Sequence, residues 1–363
     1  MLKRMVARPN FRAVIRPSST CLMCQWRTFV TTYPRLQAPS PKQLSKNTTS
    51  NTTSNTTDDT APGPAASSEP SPLADAPRSY GRRVEDFKPK VLARPIGMNH
   101  PPSPGENTGI DIRSLKQRRD DFVNYDAHLK RREQLKSQMA RPYFRDWTNL
   151  ALHKGKTFLA PPRLFKHDKS LYFPNLFGRT LLKDTTLPRD TTPVLAGKAS
   201  VVTIYSSEWA RKQVNSFMGK GENPALHETL EKNKGKAQLV HINVEDTSYL
   251  RYCIARMLSG SYRKQVGKDN WDKYFLVRKG ISDEIRESIG YLNSKVGYTY
   301  LVDGNWRIRW AGSGPAEADE RESLTRGLER LLDEADKGVW SGTGPVGKTS
   351  TAEANGNSAS RWS

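Results

Sequence analysis

Apolar and polar positions follow no regular period through the first hundred residues and become regular from about Leu171 onward. The run Leu171-Tyr-Phe-Pro-Asn-Leu-Phe-Gly178 predicts a lead-in segment with a turn. Lys198 to Tyr205 is rich in β-branched residues and predicts a buried strand. Ser206 or Ser207 can cap a helix carrying Trp209, Val214 and Phe217. Ala237 to Val244 predicts a second central strand. Thr247 or Ser248 can open a helix with Leu250, Ile254, Met257 and Leu258, ending near Gly260. Ser282 to Tyr291 predicts another short helix. Gly297–Val302 and Asn305–Ala311 read as hairpin strands joined by Asp303-Gly304, a two-residue turn signal. Pro315 stands where the first residue of a helix belongs, and Leu324, Leu328, Leu331 and Leu332 line that helix.

The resulting order is strand, helix, strand, helix, helix, hairpin, helix. A β-α-β unit followed by a hairpin and a closing helix is an α/β, thioredoxin-like layout. Enzymes of that layout carry two cysteines at the start of the first helix, where the helix dipole lowers a thiol pKa. Here that place reads Ser206-Ser-Glu-Trp-Ala-Arg211, and Gly297-Tyr298 stands where a proline would complete the site. The predicted domain is thioredoxin-like without its catalytic cysteine pair.

Upstream, residues 110–145 predict a basic helical stretch. Ile112, Leu115, Phe122, Tyr125, Leu129, Leu135 and Met139 form an imperfect apolar stripe. Arg118, Arg119, Lys130, Arg131, Arg132 and Lys136 crowd the rest. Two readings stand: a helix lying on anionic lipid or a partner helix, and a solvated helix packed on its own domain.

The chain has 363 residues and a formal charge of +21, with 35% hydrophobic residues. That hydrophobic share is below the usual ~45–50% and predicts disordered segments. Three cysteines exclude a small disulfide scaffold. Residues 1–57 hold nine Lys/Arg and no acid, with Lys3, Arg4, Arg8, Arg12 and Arg16 recurring among apolar positions. This is the composition of a mitochondrial transit peptide, with cleavage expected between Trp26 and Pro34. Asn47 to Thr57 repeats Asn-Thr-Thr-Ser and leads into Pro, Ala and Ser, which predicts a flexible linker. Residues 81–165 carry 18 bases against nine acids, whereas 166–335 are nearly balanced. The basic surplus therefore points to an acidic partner surface: nucleic acid, anionic lipid or acidic protein.

Three motifs carry no chemistry in their context. Cys21-Leu-Met-Cys24 lies inside the predicted presequence, away from any β-α-β pattern, and Cys253 reads as a small core residue. Gly342-Thr-Gly-Pro-Val-Gly-Lys-Thr349 fits a phosphate-binding loop. It follows a Leu-rich helix rather than a strand, and no helix-forming segment comes after it. The six histidines show no metal-ligand spacing. No catalytic residue, cofactor or metal is expected.

The runs Leu171–Leu181, Ser206–Gln213, Tyr274–Val277, Gly290–Asp303 and Arg307–Gly314 occur in an order that resembles the mitochondrial ATP-synthase assembly factors acting on subunit 6 (subunit a). The resemblance covers roughly residues 140–335. It implies a non-catalytic chaperone at the matrix face of the inner membrane, peripherally attached. Such a factor binds newly made subunit 6 and promotes its joining to the subunit c ring. Nucleic acid is not an expected partner.

The boundaries read as transit peptide 1–35, disordered linker 36–109, basic helical segment 110–165, thioredoxin-like assembly-factor domain 166–335 and disordered tail 336–363. Candidate partner-binding residues are Trp209, Tyr298, Trp306, Arg307, Arg309 and Trp310, although the same aromatic rings fit a core equally well. The rival function is a basic RNA-binding ribosomal or translation factor of mitochondria, carried by residues 81–165 with Tyr80, Phe87, Phe122 and Tyr125 among or beside the bases.

Overall fold

The computed structural model describes residues 72–340 apart from 81–82, 112, 140–141, 143, 184–186 and 247. The presequence, Cys21, Cys24 and the glycine-rich run at 342–349 lie outside the described residues. Helices α1 (Leu115–Val123), α2 (Tyr125–Met139) and α3 (Arg145–Asn149) come first. Strands β1 (Phe177–Thr180) and β2 (Arg189–Asp190) and helix α4 (Thr192–Leu195) follow. The central unit is β3 (Ala199–Tyr205), α5 (Glu208–Met218), α6 (Pro224–Lys232) and β4 (Ala237–Val244). Then come α7 (Tyr249–Met257), α8 (Ser259–Val266), β5 (Tyr274–Val277) and α9 (Asp283–Ser288). The chain closes with β6 (Tyr298–Val302), β7 (Ile308–Ser313) and α10 (Ala318–Asp336).

The strands form one sheet in the order β2-β1-β5-β4-β3-β6-β7. β3 runs parallel to β4, with Ala199 opposite Ala237 and Tyr205 opposite Asn243. β6 lies antiparallel to β3, and β7 antiparallel to β6. The β4-β3-β6-β7 quartet, with its crossover between β3 and β4 and its closing helix, makes the fold thioredoxin-like. Every residue of β3 is buried, as a central strand covered on both faces requires.

Alternation along β3 sends its side chains to two cores. Val201 and Tyr205 meet Val214, Phe217, Leu226, Leu324 and Leu328 from α5, α6 and α10. Val202 and Ile204 face the opposite core, with Phe158, Phe173, Leu176, Ile285 and Tyr291. This second face is covered mostly by irregular chain, and that fact corrects two expected boundaries.

Residues 72–109 are not linker: Leu73, Ala76, Leu92 and Ile96 are buried in the second core. Backbone bonds fix the segment, Leu92 N to Leu159 O at 3.0 Å and Met98 N to Tyr172 O at 2.7 Å. A few apolar residues spaced by prolines suffice because they fill a sheet face that no long helix occupies. Likewise the 165/166 boundary dissolves, since Phe158 sits in the same core. The expected start of the tail at 336 also changes, since Trp340 is buried and donates its indole N–H to Leu331 O at 3.2 Å. Residues 341–363 lie outside the described residues.

Two local expectations also change. The hairpin loop is five residues long, not two, with Val302 opposite Ile308 across a register shift. The Asp303 carboxylate causes this by accepting from Asn305 N and Arg307 N, both at 2.9 Å. The stretch 110–145 is not one helix, because α1 ends at the extended Asn124. No residue of α1 is buried, and Leu115, Phe122 and Tyr125 are exposed, so packing on its own domain does not hold α1.

Candidate functional site

In open α/β sheets, ligands and partners meet the carboxyl ends of the parallel strands. Here β3 and β4 end at Tyr205 and Val244, and four segments converge on that mouth. They are the start of α5, the Glu245–Ser248 turn before α7, the loop from Asn293 to Gly297, and α3.

Ser207 caps α5, its side chain accepting from Ala210 N at 3.1 Å. The Ser206 hydroxyl donates to Ser294 O. These serines occupy the place of a thiol pair, and both hydroxyls are taken up in holding the backbone. The helix dipole is worth about 0.3–1 kcal/mol to a negative charge at this position. That shifts a thiol usefully but leaves an alcohol protonated.

Asp146 of α3 organises the other side. Its carboxylate accepts from Ser79 Oγ at 2.6 Å and Ser294 Oγ at 2.7 Å, and its backbone oxygen accepts from Asn293 Nδ2 at 3.0 Å. Gln213 spans the interior: its amide donates to Lys154 O, and its carbonyl accepts from Gly297 N, both at 2.9 Å. Gly297 thus lies against α5, and a Cβ there would stand 2.4 Å from Ala210 O and 2.6 Å from a Val214 methyl. Gly297→Ala is expected to destabilise by about 1–3 kcal/mol through this overpacking. Urea unfolding followed by circular dichroism checks it, and an unchanged midpoint would refute the close approach.

The rim is charged and aromatic. Arg286 pairs with Asp246, and Lys295 Nζ lies 5.7 Å from the Trp147 ring centroid. Burial, then the neighbouring Arg251, pushes the Lys295 ammonium down. Burial likewise pushes the Glu245 carboxyl up. Trp147, Trp209 and Tyr249 are exposed on the elements that frame the mouth. Among the described residues no group of His, Cys, Asp and Glu could hold a metal ion. The arrangement offers rigid aromatic and charged contact area, with no thiol among the groups described here.

Of the six predicted partner-binding residues, only Trp209 is exposed. Tyr298, Trp306, Arg309 and Trp310 are buried, so they give little contact area. The Tyr298 hydroxyl accepts from Asn293 N at 3.2 Å, and burial pushes its pKa up to about 12. Trp306 donates to Thr192 O at 2.9 Å. Trp310 donates to Pro161 O at 2.9 Å and meets Phe217 edge-on. Arg307 binds the carbonyls of His167 and Ser170 and lies over the Tyr172 ring. Arg307 and Trp310 tie the 156–173 arm to the β6–β7 hairpin.

In the basic segment, Arg118, Arg119, Arg131, Arg132 and Lys136 are exposed, while the Lys130 side chain lies outside the described residues. Sequence reading missed Asp146, Trp147 and Lys295 as site residues. Their positions on short helices and loops carry no periodic signal, although Gln213, Ser294 and Lys295 fall inside the runs that carried the resemblance.

The ATP10 protein family model matches residues 80–331 of this chain. The chain belongs to that family. It is similar to the mitochondrial ATPase complex subunit ATP10 of Eremothecium gossypii, 28% identical over 243 residues, or 66% of this chain and 85% of that protein. The Saccharomyces cerevisiae protein of the same name is 26% identical over 258 residues, 68% of this chain and 88% of that one. Among solved structures, a secreted thiol-disulfide isomerase from Corynebacterium glutamicum is 13% identical with a TM-score of 0.34, covering 50% of this chain and 100% of that one. A DsbF homologue from Corynebacterium diphtheriae is 16% identical with a TM-score of 0.30, covering 47% and 90%. The family match begins at residue 80, well inside the segment expected to be linker, and agrees with the burial of residues 92 and 96.

Proposed function

We propose that this chain is a non-catalytic assembly factor of the mitochondrial ATP synthase. It binds newly made subunit 6 (subunit a) and promotes its incorporation beside the subunit c ring, working as a peripheral protein on the matrix side of the inner membrane. The observation that carries the reading is the family match over residues 80–331. It is supported by serines in place of the thiol pair at the strand mouth. Among the described residues no helix is long and apolar enough to cross a membrane. A newly made membrane subunit exposes helix faces that later meet other subunits, and such faces are costly while unpaired. The rim around Trp147, Trp209 and Tyr249 supplies amphipathic contact area for covering the matrix-side part of them. The exposed bases of α1 and α2 add long-range attraction to an anionic surface.

Deleting the gene is expected to leave the soluble catalytic sector and the c ring assembled. Subunit 6 should be synthesised but not incorporated, as read by pulse labelling of mitochondrial translation products and native gels. Normal incorporation would refute the proposal. Failure to synthesise subunit 6 at all would refute it in favour of the RNA-binding reading.

A further inference from the structure

Helix α7 leaves an apolar ridge uncovered. Leu250, Ile254, Met257 and Leu258 are 68%, 47%, 83% and 48% exposed. At about 100° per residue these four positions share one arc about 100° wide. Ala255, about 110° from the centre of that arc, is buried. The stretch 248–268 carries Arg251, Arg256, Arg263, Lys264 and Lys268 and no Asp or Glu. Arg251 borders the arc, and away from it the Arg278 guanidinium lies 4.3 Å from the Tyr249 ring and 5.8 Å from the Tyr252 ring.

We infer that the α7 ridge is an interfacial membrane-binding surface whose occupant is an anionic lipid bilayer. The inference deepens the peripheral attachment proposed above and rests on it, and it moves the apolar contact from α1–α2 to α7. An uninterrupted apolar arc bordered by an arginine, in a stretch that carries bases and no acids, is what an interfacial helix requires. The ridge supplies insertion, and the bases supply attraction to anionic headgroups. Helix α1 lacks this arrangement, because Arg119 falls between Leu115 and Phe122 on the same face.

The test is flotation of the purified chain with vesicles of phosphatidylcholine alone and of phosphatidylcholine mixed with phosphatidylglycerol. Binding to the anionic vesicles is expected to fall about tenfold or more in a Leu250→Ser/Met257→Ser variant. A fall of about tenfold is also expected for Arg251→Gln/Arg256→Gln. Leu115→Ser/Phe122→Ser should leave it unchanged. These side chains are exposed, and matching thermal unfolding curves establish that the variants fold. Met257→Trp adds a direct readout, since its emission should shift to the blue on anionic vesicles only. Unchanged flotation of the Leu250→Ser/Met257→Ser variant, or equal binding to neutral vesicles, would overturn the inference. If that variant floats normally yet no longer co-isolates with subunit 6, the ridge is a protein-docking surface. That result overturns the lipid assignment and leaves the assembly reading standing, whereas normal subunit 6 incorporation in the deletion strain would refute the assembly reading alone.

Discussion

Glu320→Ala is expected to lower the unfolding free energy by about 3–5 kcal/mol, the cost of breaking a buried ion pair from one side. Glu320 stands in the first turn of α10 with its side chain only 6% exposed, and its partner Lys156 is 5% exposed. Their N–O separation is 2.5 Å. The same carboxylate accepts from Ala160 N at 2.8 Å and from Glu317 N at 2.9 Å. One side chain thus closes a helix start, satisfies the arm at residue 160 and neutralises a buried ammonium. Alanine removes all three at once. Lys156 would keep only Pro315 O and the exposed Glu317, and Ala160 N would lose its partner. Glu320→Gln, which retains one acceptor, should cost less than alanine. Urea unfolding of the purified protein gives both values. A loss below about 1 kcal/mol for alanine would place the pair with ordinary surface bridges and refute the argument.

The central unit was legible because its signals are local. β3 and β4 are runs of β-branched and apolar residues, and their predicted spans agree with the observed ones to within a residue. Ser207, one of the two serines offered, caps α5, and α9 falls inside the predicted Ser282–Tyr291 span. The four leucines of α10 face the first core. What escaped was long-range. β5 is four residues, all buried, too short to show a period. Residues 72–109 look like linker by composition, yet they cover a sheet face that no local pattern announces. The site followed the same division. Trp209 was found because it sits one residue past a helix start. Tyr298, Trp306 and Trp310 stood as partner-binding or core residues alike because aromatic rings suit both, and only the tertiary fold, which buries them, decides between the two. Asp146 reaches the mouth from α3, about 150 residues ahead of the Asn293–Gly297 loop it binds, a separation that one sequence cannot bridge.

The second large effect is expected at Arg309. Its side chain is 2% exposed and links three elements. Nε donates to Phe165 O at 2.8 Å, one terminal nitrogen reaches Glu334 at 2.7 Å, and the other lies 3.6 Å from the fully buried Asp303 carboxylate. Arg309→Met keeps most of the volume and removes the charge. At neutral pH it should cost about 3–5 kcal/mol, because Asp303 is left ionised in the core with His167 and backbone N–H groups as its remaining partners. The pH dependence follows from the shift in Asp303. Burial holds its carboxyl above the ordinary 3.8, against the opposing pull of Arg307 N, Arg309 and His167. Folding therefore favours the protonated acid, and its stabilising contribution is complete below the ordinary value and lost as pH rises through the raised one. Removing Arg309 raises that carboxyl further, so ionised Asp303 becomes costlier. The deficit of the variant should then be smallest near about pH 4 and grow toward neutrality. Unfolding in urea at both pH values measures this. A deficit that stays constant would show that Arg309 acts through packing alone and that Asp303 is already neutral in the folded protein, and one that widens toward acid would refute the argument.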